Sequence, residues 1–110
     1  MSKRIVFTPK APKPVGSYSQ AVICDDLILI SGQIPINPQT QKIIQGSIKT
    51  QTVQVLENLK QILESINLTL DNFVKTTVLL TDIGDFQLFN QVYSKYFLKI
   101  LQHELVLKQS

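Results

Sequence analysis

The amino-acid sequence predicts an α+β domain of two layers, a mixed β-sheet with two helices packed on one face. Three observations predict it. Short apolar runs bounded by turn-forming residues fill the chain up to Gly46, the pattern of strands and hairpins. From Ser47 the apolar residues change to a helical period. A run rich in β-branched residues, Phe73–Leu80, then separates that helix from a second helical pattern, so the order is strands, helix, strand, helix.

Arg4-Ile5-Val6-Phe7 reads as a short edge strand that ends at Pro9, and Pro12 and Pro14 keep the next segment extended. A hairpin follows, with Val22-Ile23 and Leu27-Ile28-Leu29-Ile30 on either side of a turn at Asp25-Asp26. Each outer end of the hairpin carries a polar cluster: Gly16-Ser17-Tyr18-Ser19-Gln20-Ala21 before it and Ser31-Gly32-Gln33-Ile34-Pro35 after it. Strand ends are where a rigid sheet presents polar groups to a ligand. Pro35, Asn37 and Pro38 make a turn, and Ile43-Ile44 form a short strand closed by Gly46-Ser47.

In the first helix, Ile48, Val55, Leu56, Leu59, Ile62, Leu63 and Ile66 fall on one face, with Gln51, Gln54, Glu57 and Lys60 off it. Ser47 is its expected N-cap and Asn67 its stop. Asp82 and Asp85 are placed to cap the second helix, which would bury Phe86, Phe89, Tyr93 and Tyr96 or Phe97. Two such helices cover one sheet face. Yet Leu27–Ile30 and Val78–Leu80 are apolar at consecutive positions, which implies burial on both faces. The simplest cover for the second face is another copy of the chain, so a homo-oligomer is expected.

A length of 110 residues with 44% hydrophobic and 17% charged residues fits one globular domain and excludes a disordered chain. The net charge is +3, but the eleven Lys and Arg are spread singly, whereas a nucleic-acid surface clusters them among aromatics. Nucleic acid is therefore not an expected partner. Cys24, the only cysteine, permits no internal disulfide, points to a reducing compartment and reads as a small hydrophobe on a strand. No apolar leader follows Lys3 and Arg4, and no apolar run approaches the roughly 20 residues of a membrane span. A cytoplasmic protein without membrane contact is expected.

Several segments together resemble the Rid family (RidA/YjgF): the two polar clusters, Gln51-Thr52 with Val55-Leu56-Glu57-Asn58-Leu59, Val74-Lys75-Thr76-Thr77-Val78, and Phe89-Asn90-Gln91-Val92-Tyr93 followed by Tyr96-Phe97. The likeness runs from about Ile5 to Phe97. It implies a chorismate-mutase-like fold and a homotrimer with ligand clefts between subunits. It also implies hydrolysis of reactive 2-imino and enamino acids to 2-keto acids and ammonia, with no cofactor and no metal. Such chemistry asks for an arginine that forks onto the substrate carboxylate. It further asks for a carboxyl group that manages the attacking water, and for small residues and backbone groups that fix the imine. At matching positions the resemblance makes Tyr18, Ser31, Gly32 and Asn90 the substrate-binding residues. Tyr18 would be a wall with a hydroxyl handle, or a strand aromatic facing solvent. Ser31 is a polar pocket contact or a strand-end turn residue. Gly32 suits close approach of a ligand, or a tight turn. Asn90 fixes a helix against a loop or touches substrate. Gln33 and Thr77 read as ordinary surface and strand residues.

The resemblance breaks after Phe97, dividing a Rid-like domain, 1–97, from a tail, 98–110. The family continues through a Pro-rich turn into a Pro-Ala-Arg strand and a last strand bearing the carboxylate; this chain reads Leu98-Lys99-Ile100-Leu101-Gln102-His103-Glu104-Leu105-Val106-Leu107-Lys108-Gln109-Ser110. The only arginine is Arg4. Both chief catalytic groups are absent, no catalytic residue is assigned, and the chain as it stands is expected to be inactive and poorly stable. Codons chosen for the tail, with one base restored before them, read Pro-Lys-Asn-Pro-Ala-Ala-Arg-Thr-Cys-Val-Glu-Ala-Lys. That places the arginine on the codon of Glu104 and points to a frameshift, either a sequencing error or a lesion in the gene. Taken as it stands, the spacing of Tyr93, Phe97, Ile100, Leu101, Glu104 and Leu105 would carry the second helix on to about Lys108. His103, the only histidine, has no metal-binding partner and is expected to carry no function. Two other functions compete with deamination: a degenerate, non-catalytic relative that binds small ligands or partners, and an RNA-cleaving protein.

Overall fold

The apolar runs at the start of the chain form the expected hairpin. A computed structural model describes residues 3–14, 19–25, 27–70, 75–80, 82–97 and 104–109. Strands β2 (Ala21–Cys24) and β3 (Leu27–Ile30) pair antiparallel, with Ala21 opposite Ile30 and Cys24 opposite Leu27. Strand β1 (Lys3–Val6) pairs antiparallel with the other edge of β2, Val6 opposite Ala21, one residue earlier than Arg4–Phe7 suggests. Asp25 enters the hairpin turn in the left-handed region at φ 53°, which Asp tolerates better than most residues.

This register sorts the two faces. Val6, Ala21 and Ile30 form one row, Ile23 and Ile28 the next, and all face the core. Ile5, Val22, Leu27 and Leu29 take the alternate positions and point the other way. Ile5, Leu27 and Leu29 are 65%, 66% and 63% exposed. Among the described residues, therefore, the sheet is covered on one side only.

A second, small hairpin, β4 (Ile36–Asn37) with β5 (Lys42–Ile43), occupies the segment read as a turn and a strand at Ile43-Ile44. Its turn is built by the Asn37 carboxamide, which accepts from the Gln39 and Thr40 N–H groups. Helix α1 (Ile48–Glu64) starts where expected, with the Ser47 hydroxyl accepting from the Thr50 N–H. It closes with Asn67 in the left-handed region at φ 62°. The Asn67 N–H donates to Glu64 and the Leu68 N–H to Leu63, the bonding pattern of a Schellman turn.

Leu56, Leu59, Ile62 and Leu63 are buried on α1 as its periodicity predicts, together with the polar Thr52 and Asn58. Both polar residues find partners. The Thr52 hydroxyl donates to the Ile48 carbonyl, and the Asn58 amide donates to the Ile36 carbonyl while accepting from Gln54. Asn58 thus ties α1 to β4, and the Gln51 side chain ties it to the Ile44 carbonyl just beyond β5.

A 3-10 turn, Ile83–Asp85, leads into α2 (Phe86–Tyr96). Asp82 caps the turn by accepting from the Gly84 N–H at 2.9 Å. Asp85, at the helix N-cap, makes no side-chain cap bond, so only the first of the two expected caps forms. Phe89, Tyr93 and Phe97 run down the buried side of α2 with ring centroids 5.1 and 4.4 Å apart. They share one core cluster with Leu56, Leu59 and Leu63. Ile62 is fully buried in the neighbouring cluster with Val6, Ala11 and Ala21, and Ile30 packs against both clusters.

Strand β6 (Lys75–Leu80) pairs parallel with β7 (Glu104–Gln109), Lys75 opposite Glu104 and Leu80 opposite Gln109. Residues 71–74, the start of the strand expected at Phe73–Leu80, lie outside the described residues. The tail does not extend the second helix. α2 ends at Tyr96, Phe97 leaves helical geometry at φ −108° and ψ 74°, and Glu104–Gln109 is extended. Its backbone groups are satisfied along β6, a distant partner that local spacing cannot reveal. The tail, although it has no family-like segment, still contributes a strand. Both pairing senses of a mixed sheet occur among the described residues, in three hydrogen-bonded groups: β1–β2–β3, β4–β5 and β6–β7. No helix among them is long and apolar enough to cross a membrane.

Ile62→Ala should destabilise the fold by about 2–5 kcal/mol, because it removes a fully buried side chain at the seam between α1 and the sheet. A urea unfolding series gives the value; a change under about 1 kcal/mol would show that the seam collapses around the gap.

Candidate functional site

The β2–β3 ladder ends in a bond pattern that reaches past the strands. The Ser31 N–H donates to the Gln20 carbonyl at 3.1 Å, and the Ser31 hydroxyl donates to the same oxygen at 3.2 Å. From the other side the Gln33 side-chain amide donates to the Ser31 carbonyl at 3.1 Å. Ser31 is thereby held at its nitrogen, its hydroxyl and its carbonyl. It is the strand-end residue of one reading, and its hydroxyl oxygen still has acceptor capacity for the other. Gln33, which reads as an ordinary surface residue in the sequence, belongs to this arrangement.

Gly32 follows in the open. A Cβ built on it meets nothing within 4 Å, and its φ lies outside the left-handed region. Among the described residues neither space nor conformation calls for glycine there. Its ordinary φ gives the tight-turn explanation no support, and the open space beside it suits close approach of a ligand. The N–H groups of Gly32 and Gln33 make no hydrogen bond with the described residues. Two neighbouring free amide donors beside a hydroxyl make a rigid strand end suited to oxygen anions.

Asn90 is half-buried on α2, and its carbonyl accepts from the Ser94 hydroxyl at 2.7 Å. Its side chain has no partner among the described residues. Ile30 and Phe89, the residues preceding Ser31 and Asn90, belong to the packing of one cluster, and this brings β3 and α2 to the same part of the core. Tyr18 lies outside the described residues, with Gly16 and Ser17 beside it. Among the described residues no group of His, Cys, Asp and Glu is placed to hold a metal ion.

A groove lies elsewhere among the described residues. About 450 Å³ in volume, it runs between α1 and α2 and is lined by Glu57, Lys60, Glu64, Lys95 and Tyr96 over Leu70. There the Tyr96 hydroxyl donates to Glu57 at 2.6 Å. Burial, and then the hydrogen bond and negative charge of Glu57, push the Tyr96 phenol up to about 12. This favours a neutral phenol, has no bearing on chemistry near neutrality, and leaves the groove a structural seam.

The family model described as endoribonuclease L-PSP matches residues 8–106, the span that holds every element from the hairpin to the start of β7. The chain belongs to this family, the Rid family. A RutC family protein of Pyrococcus abyssi is 52% identical to it over 97 residues, covering 88% of this chain and 76% of that protein. The human 2-iminobutanoate/2-iminopropanoate deaminase is 43% identical over 95 residues, covering 86% and 69%. A solved Rid-family protein of unknown function from Yersinia pestis superposes with a TM-score of 0.94 at 35% identity, covering 99% of this chain and 86% of that one. The chorismate-mutase-like α+β fold of the Rid family is therefore the fold of this chain.

Two outcomes follow from the geometry of this Rid domain. Gly32→Ala should leave the fold intact or raise its stability by about 0.4–1 kcal/mol, since Ala fits the open, ordinary backbone and narrows the unfolded ensemble. A thermal melt that drops by several degrees would show a role inside the chain. The raised phenol of Tyr96 contributes stability that is complete below about pH 10 and lost as pH rises through about 12. Urea midpoints from pH 9 to 12 should therefore fall more steeply for the unsubstituted chain than for Tyr96→Phe.

Proposed function

We propose that the Ser31–Gln33 strand end receives the carboxylate of a 2-imino or enamino acid, and that the site descends from one that hydrolyses such compounds to 2-keto acids and ammonia. The observation that carries this reading is the pair of N–H groups at Gly32 and Gln33, unpartnered among the described residues, beside the Ser31 hydroxyl and at a glycine that none of the described residues requires. The human relative's name supplies the substrate class. In the reaction, water adds to the imine carbon, its proton passes to nitrogen, and the resulting carbinolamine expels ammonia as the carbonyl forms. The strand end binds and orients; Tyr18 and Asn90 complete the wall. The cleft lies between subunits of a homotrimer whose contacts include the open face of β1–β3, and the protein works in the cytoplasm.

The chain as it stands turns substrate over slowly or not at all, because its one arginine, Arg4, stands exposed on β1 and no second arginine exists to fork onto the carboxylate. That same observation favours the reading of a non-catalytic relative that still binds small carboxylates. RNA cleavage, suggested by the family's description, is the weakest reading: the basic residues are scattered, and the one histidine, His103, lies in the tail.

Ammonia release from 2-iminobutanoate generated in situ tests the proposal. Glu104→Arg, which puts the arginine where the codons of the tail suggest it, should raise kcat/KM by about 10- to 100-fold over the unsubstituted chain, the worth of a charge-assisted bond. An inert Glu104→Arg chain that cuts RNA would overturn it.

A further inference from the structure

The most heavily bonded buried polar group among the described residues is one for which the imine reading has given no role. Gln20 is 2% exposed. Its side-chain oxygen accepts from the Thr8 N–H at 2.6 Å, and its amide nitrogen faces the carbonyls of Thr8, Ala11 and Pro12 at 2.9, 3.3 and 3.0 Å. Two N–H bonds shared among three carbonyls leave that amide no capacity for a ligand. The backbone carbonyl of the same residue takes both bonds from Ser31. Among the described residues Gln20 thus links the segment Thr8–Pro12 to the strand end that carries Ser31, Gly32 and Gln33.

We infer that Gln20 is the positioning residue of this site: its buried amide anchors β2 to the Thr8–Pro12 segment, and its carbonyl sets the height and direction of the Ser31 hydroxyl. The inference rests on the imine reading for what Ser31 touches, but not for how Ser31 is held. Beyond the last paired residues, Ala21 and Ile30, the Ser31 bonds to Gln20 are what carries the ladder one step further. If the Gln20 amide is lost, this carbonyl is free to rotate and the strand end loosens, while α1, held by its own caps and core, does not.

Amide hydrogen exchange and imine turnover, measured on full-length Gln20→Met and on the unsubstituted chain, test this. Exchange at Ser31 and Ala11 should speed up by at least about tenfold with the interior amides of α1 unchanged, and KM should rise with a smaller change in kcat. Adding Ser31→Ala should cost less than the sum of the two single changes. Gln20→Glu is the second variant. It keeps the acceptor for Thr8 but turns a carboxylate toward three carbonyls, so its KM should climb as pH rises and that carboxyl ionises. Equal acceleration at all amides, or Ser31 exchange that does not move, would overturn the inference. An unchanged KM in a chain that hydrolyses imines would overturn it and leave the imine reading standing. Ser31 exchange that responds in a chain without turnover, with or without Glu104→Arg, would remove the imine reading and the ligand-positioning role with it.

Discussion

Strands β1–β3 carry apolar side chains on both faces, and the chain has two helices with surface enough for one. Everything else in the structure follows from how that mismatch is arranged. Val6, Ala21, Ile23, Ile28 and Ile30 face the core, where Ile62 of α1 closes the seam, and α2 packs its aromatic row against Leu56, Leu59 and Leu63 of α1. Ile5, Leu27 and Leu29 are left facing outward, with Phe7 and Ile34 exposed in the segments that flank the sheet. Apolar surface of that extent on a small domain marks a place where another molecule packs. Its continuity with the Ser31–Gln33 strand end is what supports the proposal that a neighbouring subunit supplies the second wall of the site.

The residues that shape the site therefore do two kinds of work. Ser31, Gly32 and Gln33 present donors and bare backbone to the outside. Gln20, Asn58 and Gln51 face inward and hold the segments that carry those residues. Asn58 and Gln51 fasten the β4–β5 hairpin to α1, just as Gln20 fastens the N-terminal segment to β2. All three are amides whose hydrogens go to backbone carbonyls. Buried polar groups of this kind add little net stability, but they cost much when unpaired, so they favour one arrangement of the loops over the alternatives.

The hairpin and α1 were legible in the sequence because their signals are local. The apolar runs around Asp25-Asp26 and the Ser47 cap act within a few residues, and so does the left-handed Asn67. The resemblance likewise named Ser31, Gly32 and Asn90 by position. What could not be read depends on distant partners. Gln20 lies in a polar cluster that looks like a ligand-facing loop, and only its contacts with Thr8 and Pro12 show that it faces inward. Gln33 looks like a solvated residue until its amide is seen on the Ser31 carbonyl. The tail misleads most. Its apolar spacing fits a helix, but the parallel pairing of Glu104–Gln109 with β6 lies beyond the reach of any periodicity argument. Asp85 had the right residue type and place for a cap, yet Asp82 does the capping one turn earlier.

The proposal of a site completed by more than one chain rests on the arrangement of faces more than on any single residue. The most direct test is the mass of the purified protein in solution, by sedimentation velocity across a range of micromolar concentrations. A species of three chains, shifted toward smaller ones by Leu27→Lys with Leu29→Lys, is what the open sheet face predicts. A monomer that stays monomeric at the highest concentration and unfolds cooperatively would contradict it, for the apolar face would then be stable in water and the site would have no second wall.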